Sequence, residues 1–281
     1  IEKSNFYLNL SNYLNPKFIL NSALVAENFY FNGEYDKTKK ILNNFDKKYE
    51  FYYWFRVKKE AQIIIKEKGY EDGINYLSSK FSKIKNPNDK MIFDIANFYK
   101  NAKNFEKAIE YYTKIISSMD DNSEIKSDLL YRRGGSYERL GNYQKADEDL
   151  KYSLKISPDD AYVLNYLAYS WLERNFKIDE AMEMLKKAYA LKSNDPYITD
   201  SIGWAYYLIE NYTEAEKYIK KAVELMPDDP TVNDHYGDIL WKLNRNIQAR
   251  YFWKYVLSLD DADEDIKKKI NSKIIEGLNN S

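Results

Sequence analysis

The residues with the greatest chemical capacity sit close together near the C-terminal end: Asp234, His235 and Asp238, with His235 the only histidine of the chain. Two carboxylates and an imidazole within one helical turn would suit a metal or an acid–base centre. On a helix, however, Asp234 and Asp238 share a face while His235 points elsewhere. No second histidine or thiolate exists to complete a transition-metal shell, since the chain has no cysteine. His235 is therefore expected between structural repeats, bonded to a backbone carbonyl. There is no Gly-rich phosphate loop and no Ser/His/Asp nucleophile arrangement. An enzyme built on Asp234/His235/Asp238 is the weaker alternative; the chain is expected not to be an enzyme and to carry no cofactor. Recognition by non-covalent contact is left. Arg132-Arg133 stands where one residue would ordinarily be apolar, so one arginine is expected to pair with an acidic neighbour or enter a binding surface.

These residues must be positioned by helices. The chain has 281 residues, 44% hydrophobic and 31% charged, with 9 Gly and 6 Pro; that is too apolar for disorder and too poor in breakers for a many-stranded sheet. Its net charge of -1 gives no electrostatic reason to expect nucleic acid. Residues 1–126 hold 21 Lys/Arg against 17 Asp/Glu, and residues 127–281 hold 22 against 27. The two halves are expected to prefer different partners. No run approaches the roughly 18 apolar residues of a membrane-spanning helix.

An internal repeat organises the chain. Gly134, Ala168, Gly203 and Gly237 recur every 34 or 35 residues. Each is followed by a bulky residue, Tyr137, Trp171, Tyr206 or Leu240. Further on come Ala146, Ala181, Ala215 and Ala249, then Leu150, Leu185, Ile219 and Trp253. Such a period holds two helices and two tight turns, and the small residues mark where paired helices cross. The turns agree: Leu140-Gly141-Asn142-Tyr143 and Ile209-Glu210-Asn211-Tyr212 break the chain inside a pair, while Asp195-Pro196 and Asp229-Pro230 announce the next first helix. Weaker copies run backwards through Ala96 and Ala108, through Ala61 with Gly73, and through Ala26 with Thr38 in the alanine position.

The expected organisation is thus a second helix of an incomplete repeat over 1–18, degenerate repeats over 19–126, regular repeats over 127–261 and a C-terminal capping helix over 262–281, the last marked by Ile266, Ile270, Ile274 and Leu278. An irregular joint is expected over 117–126. The half-repeat at the start implies a piece of a longer protein, because its apolar face lacks a cover.

In this register the chain resembles the tetratricopeptide repeat family. The resemblance implies an all-α fold, a right-handed superhelical solenoid of antiparallel helix pairs, acting as a protein–protein interaction scaffold or adaptor. More narrowly, Asp200-Ser201-Ile202-Gly203-Trp204, Asn233-Asp234-His235-Tyr236-Gly237-Asp238 and Ala249-Arg250-Tyr251-Phe252-Trp253 are similar to the last repeats of bacterial tetratricopeptide proteins. Some of these are envelope lipoproteins that bring substrates to carboxyl-terminal processing proteases. That implies the periplasmic side of a bacterial envelope, with the cytoplasm the alternative. An architectural subunit of a larger envelope assembly is the other functional reading. The family's chaperone-tail clamps need Lys, Asn and Arg at groove positions where this chain has Phe93, Asn97, Asp128 and Arg132, so that role is not expected.

First helices line the concave face of such an array. The register places Tyr162, Asn165, Tyr169, Tyr197, Asp200, Trp204, Tyr207, Asp234, Asp238 and Trp241 there. Each Trp either contacts a ligand or wedges between repeats. As a set they make an aromatic, acidic surface, and the expected partner is a protein or peptide, basic or amine-bearing.

Overall fold

The computed structural model describes residues 7–8, 10–11, 13–15, 18–45, 50–120 and 123–278. The opening half-repeat expected over 1–18 lies largely outside them; residues 7–8, 10–11 and 13–14 within it are helical. Fifteen further helices and no strand occur among the described residues. The chain divides into two compact units, Ile1–Met119 and Asp120–Ser281.

In the first unit α1 (Ile19–Phe31) pairs with α2 (Tyr35–Leu42), α3 (Glu50–Lys68) with α4 (Tyr70–Phe81), and α5 (Asp89–Asn101) with α6 (Phe105–Ile116). The second unit pairs α7 (Glu124–Arg139) with α8 (Tyr143–Ile156), α9 (Ala161–Glu173) with α10 (Ile178–Leu191), α11 (Pro196–Leu208) with α12 (Tyr212–Leu225), and α13 (Pro230–Lys242) with α14 (Asn246–Leu257); α15 (Glu264–Glu276) closes it against α14. The expected class, an all-helical solenoid of antiparallel helix pairs, is the one found.

The repeat residues are its core. Ala146, Ala168, Ala181, Ala215 and Ala249, and with them Leu150, Leu185, Ile219 and Trp253, are all buried. The crossings are tight: a Cβ on Gly203 would lie 2.6 Å from Ile219 Cγ1 and 3.0 Å from the Ile219 backbone nitrogen, and one on Gly237 would run into the Trp253 indole. Hydrogen alone fits there. In the first unit Thr38 stands in an alanine position and is fully buried. Its hydroxyl donates to the Glu34 carbonyl at 3.2 Å, which removes the penalty of burying it.

The turns are chemically specified. Asp195 and Asp229 cap α11 and α13, Asp195 accepting from the amides of Tyr197 and Ile198 and Asp229 from that of Val232, each ahead of a first-turn proline. Asn142 and Asn211 cap the second helices α8 and α12. The residue before each cap is left-handed, Gly141 at φ 71° and Glu210 at φ 61°.

Candidate functional site

The first helices of the second unit bring the ten candidate residues to α9, α11 and α13 in consecutive pairs, and local packing then separates them into three kinds. Tyr162 and Tyr197, near the starts of α9 and α11, stand open at 46% and 60% exposure. Tyr162 Oη donates to Asp195 Oδ2 at 3.2 Å and its ring lies 5.0 Å from Lys192 Nζ.

Asn165, Tyr169, Trp204 and Tyr207 are half-buried. Trp204 works as an inter-repeat wedge. Its Nε1 donates to Glu173 Oε1 on α9 at 3.0 Å, and its ring stacks on Tyr207 at 4.4 Å and on His235 of α13 at 4.0 Å. Burial, reinforced by Glu173 and Asp200, raises the Tyr169 phenol above its ordinary range; burial with Asp238 does the same to Tyr207. Both remain neutral hydrogen-bonding groups. Asn165 Oδ1 is buried without a hydrogen-bond donor among the described residues.

The carboxylates are taken within the chain, which corrects the expectation of a free acidic groove. Asp200, buried, accepts from His235 Nδ1 at 2.9 and 3.1 Å. His235 therefore bonds a carboxylate one repeat away and not the backbone carbonyl expected for it. Burial alone would lower the histidine's pKa, but Asp200's charge and hydrogen bond, helped by Asp234 and Asp238, outweigh burial and raise it. Asp234 and Asp238 do share a face, and Lys273 of α15 occupies it: Nζ lies 2.6 Å from Asp234 Oδ1 and 2.7 and 2.8 Å from the two Asp238 oxygens. Asp238 also accepts from Trp253 Nε1 at 3.0 Å. Burial, then Asp234, pushes its carboxyl up to about 6 against the pull of Lys273. Trp241 is likewise covered: Gly277, just past α15, lies against its six-membered ring, and the Arg250 guanidinium sits 4.7 Å from its centroid. An array must bury its last apolar face, and α15 does so while carrying a cation onto α13.

Sequence reasoning missed Lys273, Glu173 and Arg250. Lys273 had a signal, since it stands three residues after Ile270 and one before Ile274 and so flanks the apolar stripe of the closing helix. Arg132 and Arg133 both pair with carboxylates: Arg132 Nε reaches Asp128 at 2.8 Å, and Arg133 grips Asp149 with two bonds of 2.7 Å. The described residues hold no cluster of three or more potential metal ligands from His, Asp and Glu. No helix among them is long and apolar enough to cross a membrane.

Two curated proteins match part of the chain. The TPR repeat-containing protein PA4667 of Pseudomonas aeruginosa is 35% identical over 88 residues, which is 31% of this chain and 15% of that protein. The TPR repeat-containing protein MJ1428 of Methanocaldococcus jannaschii is 36% identical over 80 residues, 28% of this chain and 14% of that one. The chain thus spans about a seventh of the curated relatives it matches. Among solved structures, a tetratricopeptide repeat protein from Parabacteroides merdae superposes with a TM-score of 0.60 at 16% identity over 79% of this chain and 85% of its own. TTC0263 of Thermus thermophilus gives 0.57 at 17% over 66% and 98%, and residues 41-end of MamA from Desulfovibrio magneticus RS-1 give 0.51 at 20% over 63% and 97%. These likenesses share the fold. The tetratricopeptide repeat profile itself matches residues 63–261, and with hairpins, crossings and caps in that register, the chain belongs to the tetratricopeptide repeat family.

Proposed function

We propose that the second unit holds an extended segment of a partner protein against the face formed by α9 and α11. A protein-interaction scaffold is what the family supports in general; the finer reading concerns where the partner lies. The observation that carries it is the pair Tyr162 and Tyr197. They stand open one repeat apart, beside the half-buried Tyr169, Trp204 and Tyr207, so that rigid amphipathic rings line successive first helices. Tyr and Trp offer large contact area at low entropic cost and are the residue types that anchor interfaces. Glu173 beside Trp204 and Asp195 beside Tyr162 support a basic segment as the ligand. Asp234, Asp238 and Trp241 lie under α15 and stand outside this surface.

Photo-crosslinking from p-benzoylphenylalanine placed at position 197 in the full chain tests this. The expected result is a discrete set of protein adducts whose cross-linked segments are rich in Lys or Arg, and the same adducts, formed from a label at position 169, should be lost in Tyr162→Ala/Tyr197→Ala. Adducts retained undiminished by a chain carrying that double substitution, with the label moved to position 169, overturn the surface assignment.

A further inference from the structure

The first unit carries a cavity of about 330 Å³ among its own first helices, where α1, α3 and α5 follow one another. Its chemistry is the reverse of that on α9 and α11. From α3 come Lys58, Gln62 and Lys66, from α5 Asn97 and Asn101, and from α1 the Tyr30 ring.

The charges do not balance. Asp94, the one acidic residue among the described residues of the lining, accepts from Trp54 Nε1 at 2.9 Å and Lys58 Nζ at 2.9 Å, and Lys90 lies 3.4 Å from its other oxygen. One carboxylate thus serves two ammonium groups and an indole. Lys59, next along α3, is buried and neutralised by Glu27 at 2.7 Å, so it neither adds to the surplus nor relieves it. Lys66, exposed in the last turn of α3, has no side-chain partner among the described residues. The cavity is left with cationic capacity that nothing among the described residues consumes.

Its neutral groups point to the kind of anion. The carboxamides of Gln62 and Asn101 have no partner among the described residues, and each offers a donor and an acceptor, the complement of a peptide main chain. Asn97 is fixed by Tyr112, whose hydroxyl donates to its Oδ1 at 2.6 Å. Ile65, Phe98 and Tyr70 supply the apolar wall. A bare inorganic anion would use the lysines and waste the wall and the carboxamides. We propose that this cavity binds an acidic segment of a polypeptide: an Asp or Glu carboxylate on Lys66 and Lys58, its main chain on Gln62 and Asn101, and an apolar neighbour against Phe98 and Ile65. The chain then carries two recognition faces of opposite charge preference, and this one stands whether or not the surface on α9 and α11 binds anything.

The test is selection of a random phage-displayed peptide library on the full chain and on Lys66→Glu. Lys66 is exposed and has no partner among the described residues, and the variant's thermal melt should match that of the parent. Peptides enriched on the parent are expected to carry Asp or Glu beside an apolar residue, and this enrichment should vanish on Lys66→Glu. A selected peptide, synthesised with both ends blocked, should bind Lys66→Glu about tenfold or more weakly, bind Gln62→Ala/Asn101→Ala less tightly than the parent, and bind Tyr162→Ala/Tyr197→Ala unchanged. Equal acidic enrichment on Lys66→Glu, no acidic enrichment on the parent, or loss of binding in Tyr162→Ala/Tyr197→Ala instead overturns the proposal. Succinate binding as tightly as the selected peptide overturns it too, by reducing the cavity to a small-anion site.

Discussion

Replacing Lys273 by Met keeps the length of the side chain on α15 and removes the one cation among the described residues that lies on both Asp234 and Asp238. The cost depends on pH in a way set by Asp238. Its carboxyl is raised from 3.8 to about 6, so its contribution to stability is complete below 3.8 and is lost as pH rises through about 6. At about 1.36 kcal/mol per pKa unit, ionising it in the fold already costs about 3 kcal/mol above neutral pH with Lys273 present. Without Lys273 the carboxyl rises further. At pH 8 the variant must hold an uncompensated buried charge or take up a proton, and it should lose about 3 kcal/mol, at the low end for a broken buried pair. At pH 5 Asp238 is protonated in both proteins, and only the Asp234 contact is missing, about 1 kcal/mol. Urea denaturation followed by tryptophan fluorescence at the two pH values reads the difference, since Trp241 and Trp253 sit beside the clasp. Adding Asp238→Asn to Lys273→Met should recover most of the pH 8 loss while still accepting from Trp253. An equal loss at pH 5 and pH 8, or no recovery in the double variant, refutes the reasoning.

The His235–Asp200 pair has its own signature. Because His235 is raised above 6.5, its stabilisation is present in full below 6.5 and fades as pH climbs through the folded value; thermal melts taken from pH 6.5 upward should show the parent losing stability, and Asp200→Asn, which leaves the buried imidazole without its hydrogen-bonded carboxylate, losing less. Gly203→Ala should cost about 1–3 kcal/mol by overpacking, because the nearest obstruction includes the Ile219 backbone and not only its side chain; a melt unchanged by the substitution would mean the crossing relaxes freely. Limited proteolysis should cut first within residues 117–126, and early products that begin or end outside that span would count against a joint there.

What could be read from the sequence was whatever the geometry of a helix crossing dictates. Gly134, Gly203, Gly237 and the alanine series occupy places where a larger side chain meets the neighbouring helix, so their spacing is the fold written in residue size. The Asp-Pro caps are legible for a similar reason: cap and proline answer the same turn. The partners of the charged groups were harder to see, because the array pairs residues about one repeat apart. Asp200 and His235, and likewise Asp238 and Lys273, are separated by 35 positions. Scanning within a turn sets His235 beside Asp234 and Asp238; scanning by the period finds Asp200. The acidic face was therefore drawn as a set of free charges, whereas Asp200 is held by His235 and Asp234 and Asp238 by Lys273.

The clasp made by Lys273 also limits how this protein can be lengthened. A hairpin added after α14 would displace α15, and it would have to bring its own cation to Asp234 and Asp238 as well as a cover for Trp241. A hairpin inserted between α12 and α13 meets no such demand at the end of the array, provided it reproduces the contact that Asp200 makes with His235. Insertion of a further hairpin by design is accordingly easier before α13 than after α14, with α13, α14 and α15 kept together as one unit.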